Sequence, residues 1–205
     1  MTLDLFTAFL AFAFVSSITP GPNNLMLMSS GANFGFHRTI PHMLGIGIGF
    51  TVMIVLVGAG LMQVFDAVPV SYTVLKGLSV AYLLWLAWKI AHAGAPGKGQ
   101  GQGQRPGQAG ATPMTFLQAA AFQWVNPKAW AMALTAISAY APDRTLQAVL
   151  VVALIFGAVN LPSVSVWTLL GQQIRRVLTN PARLTAFNVT MAALLVASLY
   201  PVLFG

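Results

Sequence analysis

Two short stretches carry polar chemistry where an apolar chain has least reason to. Residues 16–24 read "SSITPGPNN" and residues 122–130 read "FQWVNPKAW", each in the middle of a long apolar run. A proline inside a helix removes its own N–H and frees the carbonyl four residues earlier. Pro20 and Pro22 would therefore release the carbonyls of Ser16 and Ile18, and Pro127 that of Gln123. Beyond each break a new half-helix must start, with exposed N–H groups near Asn23 and Asn24 in one case and near Lys128 and Ala129 in the other. Pro22 and Pro127 suit the first helical position, and Asn126 suits the cap. Such N-termini hold anions, and the Lys128 ammonium stands beside one of them. The freed carbonyls and the asparagine amides could accept from an ammonium group. Carboxylate at one side and ammonium at the other is the signature of a zwitterionic amino acid.

The elements that must position these groups are membrane helices. Of the 205 residues 57% are hydrophobic and 6% charged, with a mean hydropathy of +0.77; soluble domains are about 25% charged. The chain reads as an all-α integral membrane protein. Six segments reach the roughly 20 apolar residues that a span needs: 3–31, 40–64, 69–91, 114–140, 146–170 and 184–204. The first is too long for one straight helix, which agrees with a break at "TPGP". Its flank has no basic residue and its first charge is Asp4, so it is expected to stay as a span rather than be cleaved as a signal peptide.

Between the third and fourth segments lies "AGAPGKGQGQGQRPGQAGATP", a Gly/Gln/Pro tract that cannot bury a core. Residues 1–92 are thus expected as a first three-helix repeat, 93–113 as a flexible cytoplasmic linker, and 114–205 as a second three-helix repeat. Sliding the halves by 107 residues aligns Phe9-Leu10 with Phe116-Leu117, Pro20 with Pro127 and Leu27 with Leu134. Three spans per half force the repeats to be inverted, with broken helices 1 and 4, and matching interruptions point to a transporter's binding site.

Charge sets the orientation. Arg38, Lys89, Lys98, Arg105, Arg175, Arg176 and Arg183 fall in one set of connections and only Arg144 in the other. Basic residues stay on the cytoplasmic side, so both termini are expected outside. Lys76 and Lys128 remain, inside spans; Lys76 is expected to snorkel. His37 and His42 are expected at the interface. "GIGIG", Gly45 to Gly49, should let a second helix approach closely, and Asn160 with Pro162 either lines the cavity or kinks helix 5.

Composition also excludes. The basic residues are scattered over connections rather than gathered on one face, which argues against nucleic acid. There is no cysteine, hence neither disulfides nor thiolate metal ligands. A membrane enzyme would need a base at depth beside Ser16, Ser17, Ser163 or Ser165, and the sequence offers no histidine deep in a span. A metal-ion exporter or another small-solute pore stays as the alternative, although it would want intramembrane acids, cysteines or clustered histidines. No cofactor is called for.

The ordered set "TPGPNNLMLMSSGANFGFHR", "GIGIGF", "AYLLWLAWKIA" and "FQWVNPKAW" resembles the LysE/RhtB family of bacterial amino-acid exporters, over nearly the whole chain except the linker. "TPGPNN" with "LAWKIA" and "QWVN" is most similar to its cysteine/O-acetylserine subgroup. The resemblance implies a six-helix carrier of the bacterial inner membrane that exports small neutral amino acids or derivatives. Its partners would be the amino acid, the lipid bilayer and a proton as coupling ion; homo-oligomerisation stays open. It carries the substrate-binding role to Pro20, Gly21, Pro22, Asn23, Asn24, Asn126, Pro127 and Lys128. No carboxylate falls deep in a span, which leaves the coupling residue unassigned.

Overall fold

A computed structural model describes residues 2–61, 63, 67–68, 70–93, 112–141, 143, 145–178, 180–200 and 203. Most of the expected linker, together with Asp66, Lys98, Arg105 and Arg144, lies outside the described residues. All regular elements among the described residues are helical. They are α1 (Leu3–Ile18), α2 (Pro22–Phe34), α3 (Phe36–Leu56), α4 (Val70–Ala91), α5 (Phe116–Phe122), α6 (Pro127–Tyr140), α7 (Leu146–Arg175) and α8 (Pro181–Ala197). A π-helical turn, Val57–Leu61, follows α3, and a 3-10 turn, Gln123–Val125, follows α5.

Local chemistry explains the starts. Thr115 and Gln118 form a reciprocal capping box on α5, at 3.2 and 3.1 Å. Thr145 caps α7 through Ala148 N–H, and Asn180 caps α8 through Ala182 N–H ahead of Pro181. Each such cap satisfies donors that the first turn leaves without partners. Helices start at two of the prolines expected to break spans: α2 begins at Pro22 and α6 at Pro127. These two prolines are 105 residues apart, against the 107 of the alignment that pairs Pro20 with Pro127.

The connection expected around Arg38 is shorter than the sequence suggested. Gly35 alone joins α2 to α3, at a φ of 81° that side-chain-bearing residues rarely adopt. Arg38 therefore lies in the first turn of α3, which begins four residues before the expected span. Pro162 does not interrupt α7, which runs unbroken for 30 residues.

By length and apolarity α3 with its π turn, α4 and α7 can each cross a membrane, and the pair α1 and α2, bent by 53°, can form a fourth crossing. The remaining pieces fall short for physical reasons. The second break divides α5 from α6, and α8 has 17 residues, about 26 Å at 1.5 Å per residue. Large apolar side chains face outward on these helices, among them Val15 (55% exposed), Leu78 (55%) and Leu154 (64%). An exterior of this kind belongs in lipid, and the chain is a multi-pass membrane protein.

Packing is exchanged between the two halves of the sequence. α7 lies against α1 and α2, α3 lies against α5, and α3 meets α7 while α4 meets α8. Small residues set these approaches. A Cβ on Gly31 would collide with the Thr168 carbonyl, and one on Gly171 with the Met28 carbonyl, which fixes how closely α2 and α7 cross. In "GIGIG", Gly45 and Gly49 share one helix face and meet Phe116 and Ala120 of α5, whereas Gly47 faces Leu161 of α7. The close approach expected for that strip is present, toward two helices rather than one. Phe9, Phe12, Phe50, Tyr140 and Phe156 form an aromatic cluster with centroids 4.7–5.8 Å apart, and it closes one end of the space between the breaks.

Candidate functional site

The two breaks meet. A cavity is lined by Gly21, Asn23 and Asn24 of the first break, by Asn126 and Lys128 of the second, and by Asn160 of α7. Phe50 of the aromatic cluster forms part of its wall. Five of the eight expected site residues therefore line one space. Pro20, Pro22 and Pro127 do not line it; they shape its turns, Pro22 and Pro127 by starting the half-helices and Pro20 by offering its carbonyl.

The carbonyls released by the prolines find partners inside the protein. Ser16 O accepts from the Thr19 hydroxyl at 3.1 Å, Ile18 O from Trp167 Nε1 at 3.0 Å, and Gln123 O from Asn126 N–H at 3.3 Å. Asn24 Nδ2 donates to Ser17 O at 2.9 Å and Thr19 O at 2.7 Å. Buried backbone groups require such partners. Asn24 thus serves as a C-terminal cap for α1 in addition to lining the cavity, and the freed carbonyls are not open acceptors in this arrangement.

Lys128 behaves similarly. Its Nζ donates to Thr19 O at 2.7 Å, Thr19 Oγ1 at 3.0 Å and Pro20 O at 3.4 Å. The ammonium thus sits at the C-terminal, negative end of α1, where a cation is favoured, rather than free beside the half-helix N-termini. Gly21 is what lets the side chain pass, because a Cβ there would come within 2.7 Å of Lys128 Cδ. One side chain of the second break thereby ties down the first.

A second tie joins the same segments. Asn23 and Gln123 exchange both amide hydrogen bonds, Nδ2 to Oε1 at 2.9 Å and Nε2 to Oδ1 at 3.2 Å, and Gln123 Nε2 also donates to Ala119 O. Gln123 is fully buried.

What remains for a ligand is specific. Gly21 precedes α2 without any side-chain cap, and the first α2 hydrogen bond runs from Leu25 N–H to Gly21 O. Among the described residues, the N–H groups of Asn23 and Asn24 therefore meet no hydrogen-bond acceptor. At α6, Asn126 Oδ1 caps Lys128 N–H at 3.2 Å and leaves the next N–H, of Ala129, open. Asn160 of α7 donates to Ser17 Oγ at 3.0 Å, while its Oδ1 is buried without a partner. Two helix N-termini with open donors and one orphaned acceptor thus belong to residues that line the same cavity.

The side chains of Gln123, Thr19 and Trp167 were missed from the sequence. Gln123 carried a readable signal, a lone polar residue one turn before "NPK" in an apolar run. Trp167 carried none, because its role depends on which helix crosses it. His42 is a correction of a different kind. It is 1% exposed, with both ring nitrogens lacking a partner, so it is enclosed by protein about two turns into α3 rather than set at the helix start. The early start of α3 carries it inward.

The family model described as LysE type translocator matches residues 14–198. The chain is 28% identical over 198 residues to the cysteine/O-acetylserine efflux protein of Escherichia coli O157:H7. It is 29% identical over 198 residues to the proteins of the same name in E. coli strain K12 and Shigella sonnei. In each case 96% of both chains is covered. No solved structure gives a significant match.

Proposed function

Because the chain belongs to the LysE type translocator family, we propose that it is a secondary transporter of the bacterial inner membrane that exports small neutral amino acids, driven by the proton-motive force. Cysteine and O-acetylserine head the substrate panel, since the relatives are named for their efflux, with homoserine and threonine next.

The observation that carries this reading is the cavity where the two breaks meet. The open N–H groups of Asn23, Asn24 and Ala129 suit a carboxylate, and Asn160 Oδ1 suits an ammonium. Lys128 supplies the link to movement. An arriving carboxylate competes with Thr19 and Pro20 for the ammonium, and winning it loosens the tie between the breaks. Binding energy is thereby spent on the conformational step, as a carrier requires.

Six spans accommodate the helices as α1 with α2, α3, α4, α5 with α6, α7, and α8. The exchanged packing supports an inverted repeat: α7 covers the first broken span as α3 covers the second, and α3–α7 and α4–α8 pair with their counterparts. Arg38 beside the α2–α3 junction, Arg175 next to Gly35, and Lys89 at the end of α4 support a cytoplasmic face at that end, with both termini periplasmic. Uptake into everted vesicles, with a panel of labelled amino acids and with or without an acid interior, tests substrate and coupling together. Failure of every panel member to enter, with the protein present in the membrane, overturns the reading.

A further inference from the structure

A second cavity opens along the other half of α2 and is walled by Ser29, Ser30 and Asn33, by His42 of α3 and by Lys89 of α4. It lies about 10 Å from the first, counting the seven residues from Asn23 to Ser30 at 1.5 Å each. We propose that this cavity is a further station for the exported amino acid, in which the His42 imidazole takes either the substrate's ammonium or a proton but not both. The inference rests on the export reading and supplies the coupling group that the sequence left unassigned.

Most polar groups of this wall are already matched. Asn33 and Asn188 exchange amide hydrogen bonds at 2.9 and 3.3 Å. Asn33 also donates to Ser29 O, and the hydroxyls of Ser30 and Thr39 bond to each other at 2.9 Å. His42 is the exception, fully enclosed with both nitrogens unpartnered. A neutral imidazole offers one donor and one acceptor, and a buried polar group left this way calls for a ligand or water. Lys89 also lines the cavity; it is exposed, with its ammonium 4.7 Å from the Trp85 ring centroid.

These two groups read a zwitterion. Lys89 attracts the carboxylate, and the imidazole lone pair accepts from the ammonium. When a proton from water takes that lone pair, the acceptor is lost and a positive charge repels the ammonium. Substrate and proton then exclude one another, which is the logic of antiport.

No neighbouring group substitutes for His42. α2 contributes only neutral side chains to the cavity, as do Thr112, Pro113 and Met114. α4 adds Lys89; Tyr82 of the same helix packs on Phe122, and His92, just past its end, is exposed with its ring on Trp88 and its Nδ1 bonded to Trp88 O. On α3 itself His37 and Arg38 are exposed. Arg175 of α7 lies at Gly35, while Lys128 and Tyr140 of α6 are engaged at Thr19 and at Phe9. No carboxylate among the described residues lines the cavity.

Labelled O-acetyl-L-serine uptake into everted vesicles tests this. For the wild type, acidifying the external face should raise KM by about tenfold per pH unit below the titration point of the group, and an acid interior should drive accumulation. His42→Gln keeps a hydrogen-bonding amide but cannot titrate. It should lose about threefold to tenfold in affinity, show a pH-independent KM, and only equilibrate the substrate across the membrane. Wild-type protein in detergent should in addition release protons into weak buffer when O-acetylserine is added, an observation that needs no variant to fold. A His42→Gln protein that accumulates substrate with the wild-type pH profile, or a wild type that binds without proton release, overturns the role of His42 while leaving export standing. A wild type that moves no amino acid overturns the export reading, and this inference with it.

Discussion

Lys128 shows how one side chain holds two duties. Its ammonium bonds three oxygens of Thr19 and Pro20, and the export reading has the substrate carboxylate compete for it. A charge-assisted hydrogen bond contributes roughly 1.5–3 kcal/mol. Lys128→Ala is therefore expected to lose about tenfold to hundredfold in apparent affinity, measured as the KM for O-acetylserine in everted vesicles. Lys128→Arg should rescue only in part, because a planar fork does not fit beside Gly21, where the lysine stem already passes closely. Unchanged affinity in a well-inserted Lys128→Ala protein removes Lys128 from the site and leaves the backbone donors of α2 and α6. Asn23 and Gln123 allow a test of stability rather than transport. Asn23→Ala strands part of a fully buried amide, at a cost of about 1–3 kcal/mol. Adding Gln123→Leu should recover much of that loss, and a double-mutant cycle on thermal unfolding in detergent would read the coupling. Additive losses would show that the pair does not tie the segments.

At the scale of elements, the cavities exist because helices approach closer than ordinary side chains permit. α2 and α7 touch through Gly31 and Gly171, each lying against the other helix's backbone. Gly31→Val or Gly171→Val must push these helices apart and pull α2 away from Asn160 and Lys128. Loss of both thermal stability and transport is expected. Gly77 of α4 provides the matched control, since a Cβ there meets nothing within 4 Å, and Gly77→Ala should be silent or slightly stabilising. Equal effects at the three positions would show that helix propensity, rather than close approach, is what these glycines contribute.

At the scale of the whole molecule, the open questions are orientation and span number. Reporter fusions or cysteine labelling should find the segment around Gln102 in the cytoplasm and Thr2 outside. The cysteine-free sequence makes single-site labelling direct. A periplasmic segment at Gln102 would reverse the facing of both cavities and place the His42 cavity on the far side of the membrane from the proposed substrate source.

The sequence by itself determined the membrane class, the two breaks and the family. Each rests on information local in the chain: apolar run length, proline without an N–H, and motif order. It also placed Pro22 and Pro127 at the first position of their helices and Asn126 at the cap, because capping is decided within one turn. Tertiary structure alone decided what the polar groups do. Lys128 donates to residues 109 positions earlier in the chain, and Trp167 closes the carbonyl of Ile18 from 149 positions away. Periodicity cannot report which helix lies opposite. For the same reason the sequence left His42 at an interface. Its burial follows from a one-residue junction at Gly35 and from α2 and α4 closing over it. A side chain's solvent is set by its neighbours in space, and in a bundle of apolar helices those neighbours come from other parts of the chain.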